Sequence, residues 1–194
     1  RGLLADEYVD AGLMRFGGLS YRALKWLERF GIRNADQVVV LTETMRDWVQ
    51  EQEWREESAI EVIPCCVDLA KFKEGVRLKS PDLVYAGSVT GLYLLEEMGR
   101  FYLSWKKIHP AAKLRLLTGA PAAEVLLRLS GLGVTEGDVW IGSVDPCDVP
   151  AHLSQVGAGL SFRKATFSQI AASPTKIPEY LAAGLPGGGE SRCR

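Results

Sequence analysis

Ser173-Pro174-Thr175-Lys176-Ile177-Pro178-Glu179-Tyr180-Leu181-Ala182-Ala183-Gly184-Leu185-Pro186 is the stretch on which the reading of the fold turns. It follows an apolar run at 157–162 and a polar run at 163–172. That order reads as a strand, a loop and a helix N-terminus, where free N–H groups and the positive end of the helix dipole favour an anion. Pro178 locates the start. Proline has no N–H, so it fits only where the helix leaves an orphan donor. With Thr175 as N-cap, Pro178 takes the third helical position and loses no hydrogen bond. A start at Ser173 would lose one. Gly184 supplies the stop and Pro186 prevents continuation. Lys176 in the first turn opposes the dipole, which points to a role other than helix stability. Glu179 favours the dipole, and a capped surface helix is the alternative reading of the stretch.

Upstream of this stretch the pattern is regular. Short apolar strands are expected at 83–86, 113–117, 138–141 and 158–162. Helices are expected between them, at 93–108 with Leu94, Met98, Phe101, Trp105 and Ile108 inward, at 121–130 with Val125, Leu126 and Leu129 inward, and at 149–155. Strands that alternate with helices predict an α/β fold, a Rossmann-like parallel sheet covered by helices on both faces. A second, earlier set comprises a helix at 19–30 with Leu24, Leu27 and Phe30 inward, a strand at 37–41, a helix from Thr42 to about residue 53, and a strand at 61–63. The run 64–80 has no periodicity. These patterns divide the chain into a first domain at 1–72, a linker at 73–80, a second domain at 81–186 and an irregular tail at 187–194.

Ligands of open parallel sheets bind beyond the carboxyl ends of the strands. That rule selects four loops. Gly87, Ser88, Val89, Thr90 and Gly91 follow the first strand of the second domain; two glycines, two hydroxyls and free N–H groups have the composition of a phosphate cradle. An ordinary strand-to-helix turn has the same composition. Thr118, Gly119 and Ala120 form a loop without evident chemistry. Gly142, Ser143 and Val144 form the third loop, and Arg163 and Lys164 open the fourth.

Four segments resemble, in the same order, the retaining glycosyltransferases of family four with the two-domain GT-B architecture. The 173–186 stretch is similar to a Ser-Pro-x-Lys-x-x-Glu-Tyr-x-Ala-x-Gly-x-Pro donor motif. Residues 35–42 resemble the last strand and turn of the family's N-terminal domain. Val62-Ile63-Pro64-Cys65-Cys66-Val67-Asp68 resembles the segment before its linker, and Leu83-Val84-Tyr85-Ala86-Gly87-Ser88 the strand and turn that open its donor domain. The resemblance implies a nucleoside-diphosphate sugar as donor, a carbohydrate or lipid-linked acceptor hydroxyl, and retention of anomeric configuration. It implies that Gly87, Ser88, Thr90, Arg163, Lys164, Ser173, Thr175, Lys176 and Glu179 face the donor, with Glu179 on the ribose hydroxyls. Gly142, Ser143 and Val144 then lie beside the nucleobase. Many members carry Arg and Lys just after the first donor-domain strand. Here Ser88, Thr90 and Tyr93 occupy that region, and Arg100 lies on a solvated helix face. The diphosphate charge then falls to Arg163, Lys164 and Lys176. The motif's first Glu corresponds to Ala171, which leaves its contact to backbone N–H groups near 173–176. Residues 1–7, with Asp6, resemble an Arg-Gly-x-x-x-Asp loop near the acceptor cleft; a turn capped by Asp6 is the alternative.

Composition agrees with these expectations. The 194 residues carry a formal net charge of −1, which gives no field for nucleic acid. No run approaches the ~18 apolar residues that cross a membrane. Four cysteines without a C-x-x-C pair and two histidines argue against a zinc site or a disulfide scaffold, and fit a reducing cytoplasm. No cofactor and no metal is expected, since no Asp-x-Asp pair is present. A peripheral contact with the inner face of the membrane is expected only through further N-terminal sequence. The start at Arg1 and the Gly-rich end at 187–194 read as those of a fragment, inactive by itself. Glycines in series are not expected to make the buried strand that the family has after Gly-x-Pro. A sugar-nucleotide epimerase of the same architecture and a non-catalytic Rossmann-like nucleotide-binding module are the alternatives.

Overall fold

A strand buried on both faces needs apolar residues at every position, and Leu83-Val84-Tyr85-Ala86 and Leu114-Arg115-Leu116-Leu117 come close to that. The computed structural model, which describes residues 3–72 and 80–189, pairs these two segments in parallel at the centre of a sheet. Strands are numbered along the chain: β1 Val38–Val40, β2 Ile60–Val62, β3 Leu83–Ala86, β4 Leu114–Leu117, β5 Val139–Gly142, β6 Ala158–Ser161 and β7 Gly187–Gly189. Helices are α1 Leu4–Asp10, α2 Leu19–Asn34, α3 Glu43–Glu51, α4 Leu95–Ile108, α5 Ala122–Ser130, α6 Val149–Leu153 and α7 Lys176–Ala182. The described residues fall into two compact units, one of residues 3–65 and 164–174, the other of residues 66–72, 80–163 and 175–189.

The second unit is a five-stranded parallel sheet in the order β5-β4-β3-β6-β7. One face packs Leu83, Tyr85, Leu114, Leu116 and Leu160 against α4 and α5; the other packs Val84 and Leu117 against Leu153, Val156, Tyr180 and Leu185. Gly99 of α4 lies against the α5 end, where an added Cβ would meet Leu129 at 2.9 Å. Asp82 closes the amino end of the sheet. Its carboxylate accepts from Lys113 N at 2.8 Å and Arg115 Nη2 at 3.0 Å.

The first unit has the two-stranded parallel sheet β1-β2, with α3 packed on Val38 and Val40 through Met45 and Val49. Thr42 caps α3 as expected, its Oγ1 accepting from Met45 N at 3.1 Å. Residues 164–174 also belong here. A 3-10 turn at Phe167–Ala171 brings Ala171 into the cluster of Leu3, Val38 and Met45. The Ile170 carbonyl accepts from Thr42 Oγ1, and Ser168 N donates to Asp10 Oδ2 at 3.1 Å.

Several sequence expectations are corrected. The division between units falls at Cys65 rather than after Phe72, because Phe72 packs on the second unit's Val84–Tyr180 cluster. Of the expected linker, only Ser80 lies among the described residues. Helix α4 starts at Leu95 and buries Leu95, Met98, Gly99 and Tyr102, while Ile108 is 74% exposed. Helix α2 turns Tyr21, Leu24, Lys25, Glu28 and Ile32 inward and leaves Leu27 and Phe30 each 54% exposed. The inward Lys25 is held by Asp6 and Glu28, both at 2.8 Å. Asp6 therefore sits inside α1 as an ion-pair partner and does not cap a turn; Arg1 and Gly2 lie outside the described residues. Gly187–Gly189, expected to be irregular, form β7 beside β6. A parallel ladder needs only backbone groups, and Gly159 N already donates to Pro186 O at 3.0 Å. Residues 190–194 lie outside the described residues.

Candidate functional site

Three segments of the second unit meet at the carboxyl end of β3. The loop after β3 opens with Gly87 at φ +133, a conformation that L side chains rarely adopt. Gly87 N donates to Leu117 O at 2.9 Å, which fixes the loop's first residue to β4. Ser88, Thr90 and Gly91 are exposed, and Thr90 N donates to Ser88 Oγ at 3.3 Å. The loop is longer than a helix starting at Tyr93 would leave. Tyr93 instead forms an isolated antiparallel bridge with Arg163, the residue that follows β6 by two.

Helix α7 contributes the third segment. It runs from Lys176, so Pro178 occupies its third position as the proline argument requires. Thr175 differs from expectation: its backbone is helical, at φ −56 and ψ −30, and its side chain makes no cap bond. The helix is fastened by Tyr180. Tyr180 Oη accepts from Ala86 N at 3.2 Å and donates to Leu160 O at 3.1 Å, bridging β3 and β6. Its ring covers Gly159, where an added Cβ would meet the ring at 2.3 Å. Gly184, at φ +62, turns the chain back so that Leu185 N donates to Tyr180 O at 2.7 Å.

These fastenings drive Lys176 into the sheet. The residue is 6% exposed, and its Nζ lies beside Gly87, 3.3 Å from where a Cβ would stand. Nζ donates to Tyr85 Oη at 3.2 Å and sits over two rings, 4.3 Å from the centre of Tyr85 and 4.6 Å from that of Tyr93. Tyr85 Oη in turn donates to the Ser88 carbonyl, which links the ammonium to the loop. Arg163 lies on the same Tyr93 ring, its Cζ 5.3 Å from the centre. Among the described residues neither cation forms an ion pair with Asp or Glu, and the buried Arg163 Nε has no hydrogen-bond partner. Burial, helped by the Arg163 charge, holds the Lys176 ammonium down at about 8. Burial pushes the Tyr85 and Tyr180 phenols up, so both stay neutral. It also raises the half-buried Glu179 carboxyl, against the pull of Lys176.

The sequence expectations divide accordingly. Gly87, Ser88, Thr90, Arg163, Thr175, Lys176 and Glu179 belong to the second unit. Gly142, Ser143 and Val144 also belong to it, Gly142 as the last residue of the edge strand β5 on the far side of β4 and the other two after it. Gly142 carries the Trp140 ring over it, 2.8 Å from where a Cβ would stand, and its carbonyl accepts from Thr118 N at 2.9 Å. Lys164 and Ser173 belong to the first unit, where Ser173 Oγ accepts from Cys65 N at 3.2 Å. Arg100 is exposed and paired with Glu97, as a solvated face residue is. Tyr85, Tyr93 and Tyr180 hold the site together and were not selected as site residues. The signals were the place of Tyr85 in the first strand of the second domain, of Tyr93 after its loop and of Tyr180 in the 173–186 motif. Among the described residues no group of three or more His, Cys, Asp or Glu side chains is placed to hold a metal ion. No described helix is long and apolar enough to cross a membrane.

Comparison with known proteins bears on the fold. The family model described as Glycosyltransferase Family 4 matches residues 12–71. No curated protein sequence matches the chain. The solved structure of TarM is similar at a TM-score of 0.66 and 14% identity, over 91% of this chain and 34% of TarM. A variant of S. aureus TarM, in complex with fondaparinux, α-GlcNAc-glycerol and UDP, is similar at 0.61 and 13%, over 90% of this chain and 34% of its own. The pneumococcal O-GlcNAc transferase GtfA, in complex with UDP and GlcNAc, is similar at 0.56 and 16%, over 82% and 31%. At these identities the likeness is one of fold, the α/β fold of GT-B glycosyltransferases. The chain spans about a third of the length of these three structures, by the 34%, 34% and 31% of each that it covers.

Proposed function

We propose that the chain is the donor-binding part of a hexosyltransferase-type glycosyltransferase. In this reading the whole enzyme moves a sugar from a nucleoside-diphosphate sugar to a carbohydrate or lipid-linked hydroxyl, with retention of configuration. It works in the cytoplasm and touches the membrane only peripherally. The observation that carries the reading is the buried Lys176 ammonium at the carboxyl end of β3, which forms no ion pair among the described residues and feels the Glu179 carboxylate only as a weaker pull against burial and the Arg163 charge. A buried charge without a direct ion pair is costly. A fold that retains one has a use for it, and the oxygens of a diphosphate would supply the direct partner. Arg163, on the same aromatic ring, supplies the second cation.

The same arrangement serves the chemistry. As the bond between the sugar and the diphosphate breaks, negative charge grows on the leaving phosphate oxygen. Cations held in place in a water-poor site stabilise that charge without reorganising. Lys176 and Arg163 therefore do the work that a metal ion does elsewhere, and the proposal includes no metal and no cofactor. The Gly87–Gly91 loop adds backbone donors, with the Ser88 and Thr90 hydroxyls beside them. Glu179, half-buried one helical turn beyond Lys176, has two acceptor oxygens suited to a vicinal diol such as that of ribose. The segment Gly142, Ser143 and Val144 would take the base. UDP is the nucleotide named with the S. aureus TarM variant and with GtfA, which makes it the first ligand to try.

Calorimetric titration of the chain with UDP, GDP and ADP, each beside its free nucleoside and with EDTA present, tests the reading. One diphosphate is expected to bind at least about tenfold more tightly than its nucleoside, the size of one charge-assisted contact. Equal binding of diphosphate and nucleoside by a folded sample would overturn it.

A further inference from the structure

Tyr93 carries more than its place in a loop requires. Its ring bears two cations, the Lys176 ammonium at 4.6 Å and the Arg163 guanidinium at 5.3 Å from the centroid. Two like charges near one another repel, and each would be better hydrated in bulk water. The attraction of both to one aromatic ring offsets that repulsion. Tyr85 stands edge-on to Tyr93 at 6.2 Å and gives Lys176 its second ring. The backbone supports the same arrangement. Tyr93 and Arg163 form a bridge, and Leu94 N donates to Phe162 O at 3.3 Å, so the segments bearing the ring and the guanidinium are pinned side by side. The Phe162 ring is itself held against Phe101 at 5.6 Å.

We propose that Tyr93 is a positioning residue of the donor site, whose ring holds the Lys176 and Arg163 cations near one another so that the site prefers a diphosphate to a monophosphate. The inference rests on the reading of this site as a nucleotide-diphosphate site. One phosphate occupies one cation, and a second phosphate gains only if the second cation is held within reach. Without the ring, Arg163 loses its seat and turns to solvent. Lys176 stays, because burial by α7 and its hydrogen bond to Tyr85 do not depend on Tyr93. Loss of the ring is therefore expected to act on the second phosphate and to leave the first almost untouched.

Calorimetry on the chain with Tyr93→Phe, Tyr93→Leu and Arg163→Met separates these roles. The ligands are whichever of UDP, GDP and ADP binds the parent most tightly, and its monophosphate. Tyr93→Phe keeps the ring face and is expected to bind both ligands within about twofold of the parent. Tyr93→Leu keeps the backbone bridge but not the ring. It is expected to lose about tenfold for the diphosphate and less than about threefold for the monophosphate. Arg163→Met is expected to lower the diphosphate preference equally, and the double variant no further, since both act through one contact. This ratio is independent of a general loss of stability, and Arg163→Met decides the matter if Tyr93→Leu does not fold. A preference that is unchanged in Tyr93→Leu, or in Arg163→Met, overturns the inference alone. A parent chain that binds no diphosphate overturns the donor-site reading and this inference with it.

Discussion

A lysine buried without a direct ion pair destabilises the protein that buries it, and this decides what happens when Lys176 is changed. In Lys176→Met the thioether side chain fills similar space without a charge to desolvate. The variant is expected to lose at least about tenfold in diphosphate affinity while its unliganded form melts no lower than the parent. A large drop in melting temperature would mean that Lys176 is structural. The pH dependence has two opposite signs. Lys176 holds its proton less tightly when folded, at about 8 against an ordinary 10.5. Between those values the unfolded chain binds the extra proton, so the unliganded protein gains stability as pH rises through that window. Below about 8 the ammonium is charged in both states and this gain is absent. An anionic ligand needs the charged form, so diphosphate affinity is expected to fall as pH rises above 8. The facing groups do not reverse this. These groups are Arg163, the Tyr85 phenol, which burial pushes up so that it stays neutral, and the Glu179 carboxyl, which burial raises against the pull of Lys176. Titrations at pH 7 and 9.5, with Lys176→Met as reference, check both signs. Glu179→Ala is expected to weaken nucleotide binding by about 1.5–3 kcal/mol, the range for hydrogen bonds to a charged acceptor. Equal affinity for the parent and Glu179→Ala would leave Glu179 as a helix-terminus charge.

At the scale of elements, helix α7 is a lever whose position is set by Tyr180 on Gly159. A Cβ at Gly159 would stand 2.3 Å from the ring, so Gly159→Ala must displace α7. The expected loss is about 1–3 kcal/mol in urea unfolding, with weaker diphosphate binding because Lys176 rides on the same helix. Gly187→Ala, whose Cβ meets nothing within 4 Å, is the control. If Gly159→Ala unfolds and binds like Gly187→Ala, α7 is not held this way. The sequence made β3, β4, α3 and the start of α7 legible, because local rules govern them. Unbroken apolar runs mark central strands, Thr42 is a cap, and Pro178 admits one start. The inward faces of α2 and α4 were not legible, for periodicity counts apolar residues and ignores pairing. In α2 the charged Lys25 faces inward because Asp6 and Glu28 meet it there. In α4 the spacing of Leu94, Phe101 and Ile108 fits a helix as well as that of Leu95, Met98 and Tyr102. The strand-end rule selected Arg163 and Lys164, and the 173–186 motif selected Lys176 and Ser173. Arg163 and Lys176 meet at Tyr93, while Lys164 and Ser173 fall in the first unit, since nothing local shows that 164–174 returns to Ala171's cluster there. The three tyrosines escaped because their contacts span up to 94 residues of sequence.

For the whole molecule, the question is how evenly stability is shared between two units of unequal construction. The second unit has a five-stranded sheet whose central residues Leu83, Val84, Tyr85, Leu114 and Leu116 are fully buried. The first has a two-stranded sheet, and α2 contributes no fully buried residue. Its outward face shows Leu19, Trp26, Leu27 and Phe30 to solvent, with Trp26 and Phe30 stacked at 5.4 Å. Apolar surface left in water adds nothing to folding, and a helix whose inward face is only partly buried depends more on its intrinsic propensity. Opening free energies follow local burial. Amide exchange is therefore expected to be slowest in β3 and β4 and fastest in α2, with β1 between them. Urea is expected to melt the first unit before the second, giving probe-dependent transitions in place of one. Trp26 and Trp48 report on the first unit, and Trp105 and Trp140 on the second, so single-tryptophan variants can follow each. Adding the diphosphate is expected to shift the second transition only, since Lys176, Arg163, Tyr85 and Tyr93 all belong to that unit. A single transition seen alike by all four reporters, shifted as a whole by ligand, would show instead that the two units unfold as one cooperative body.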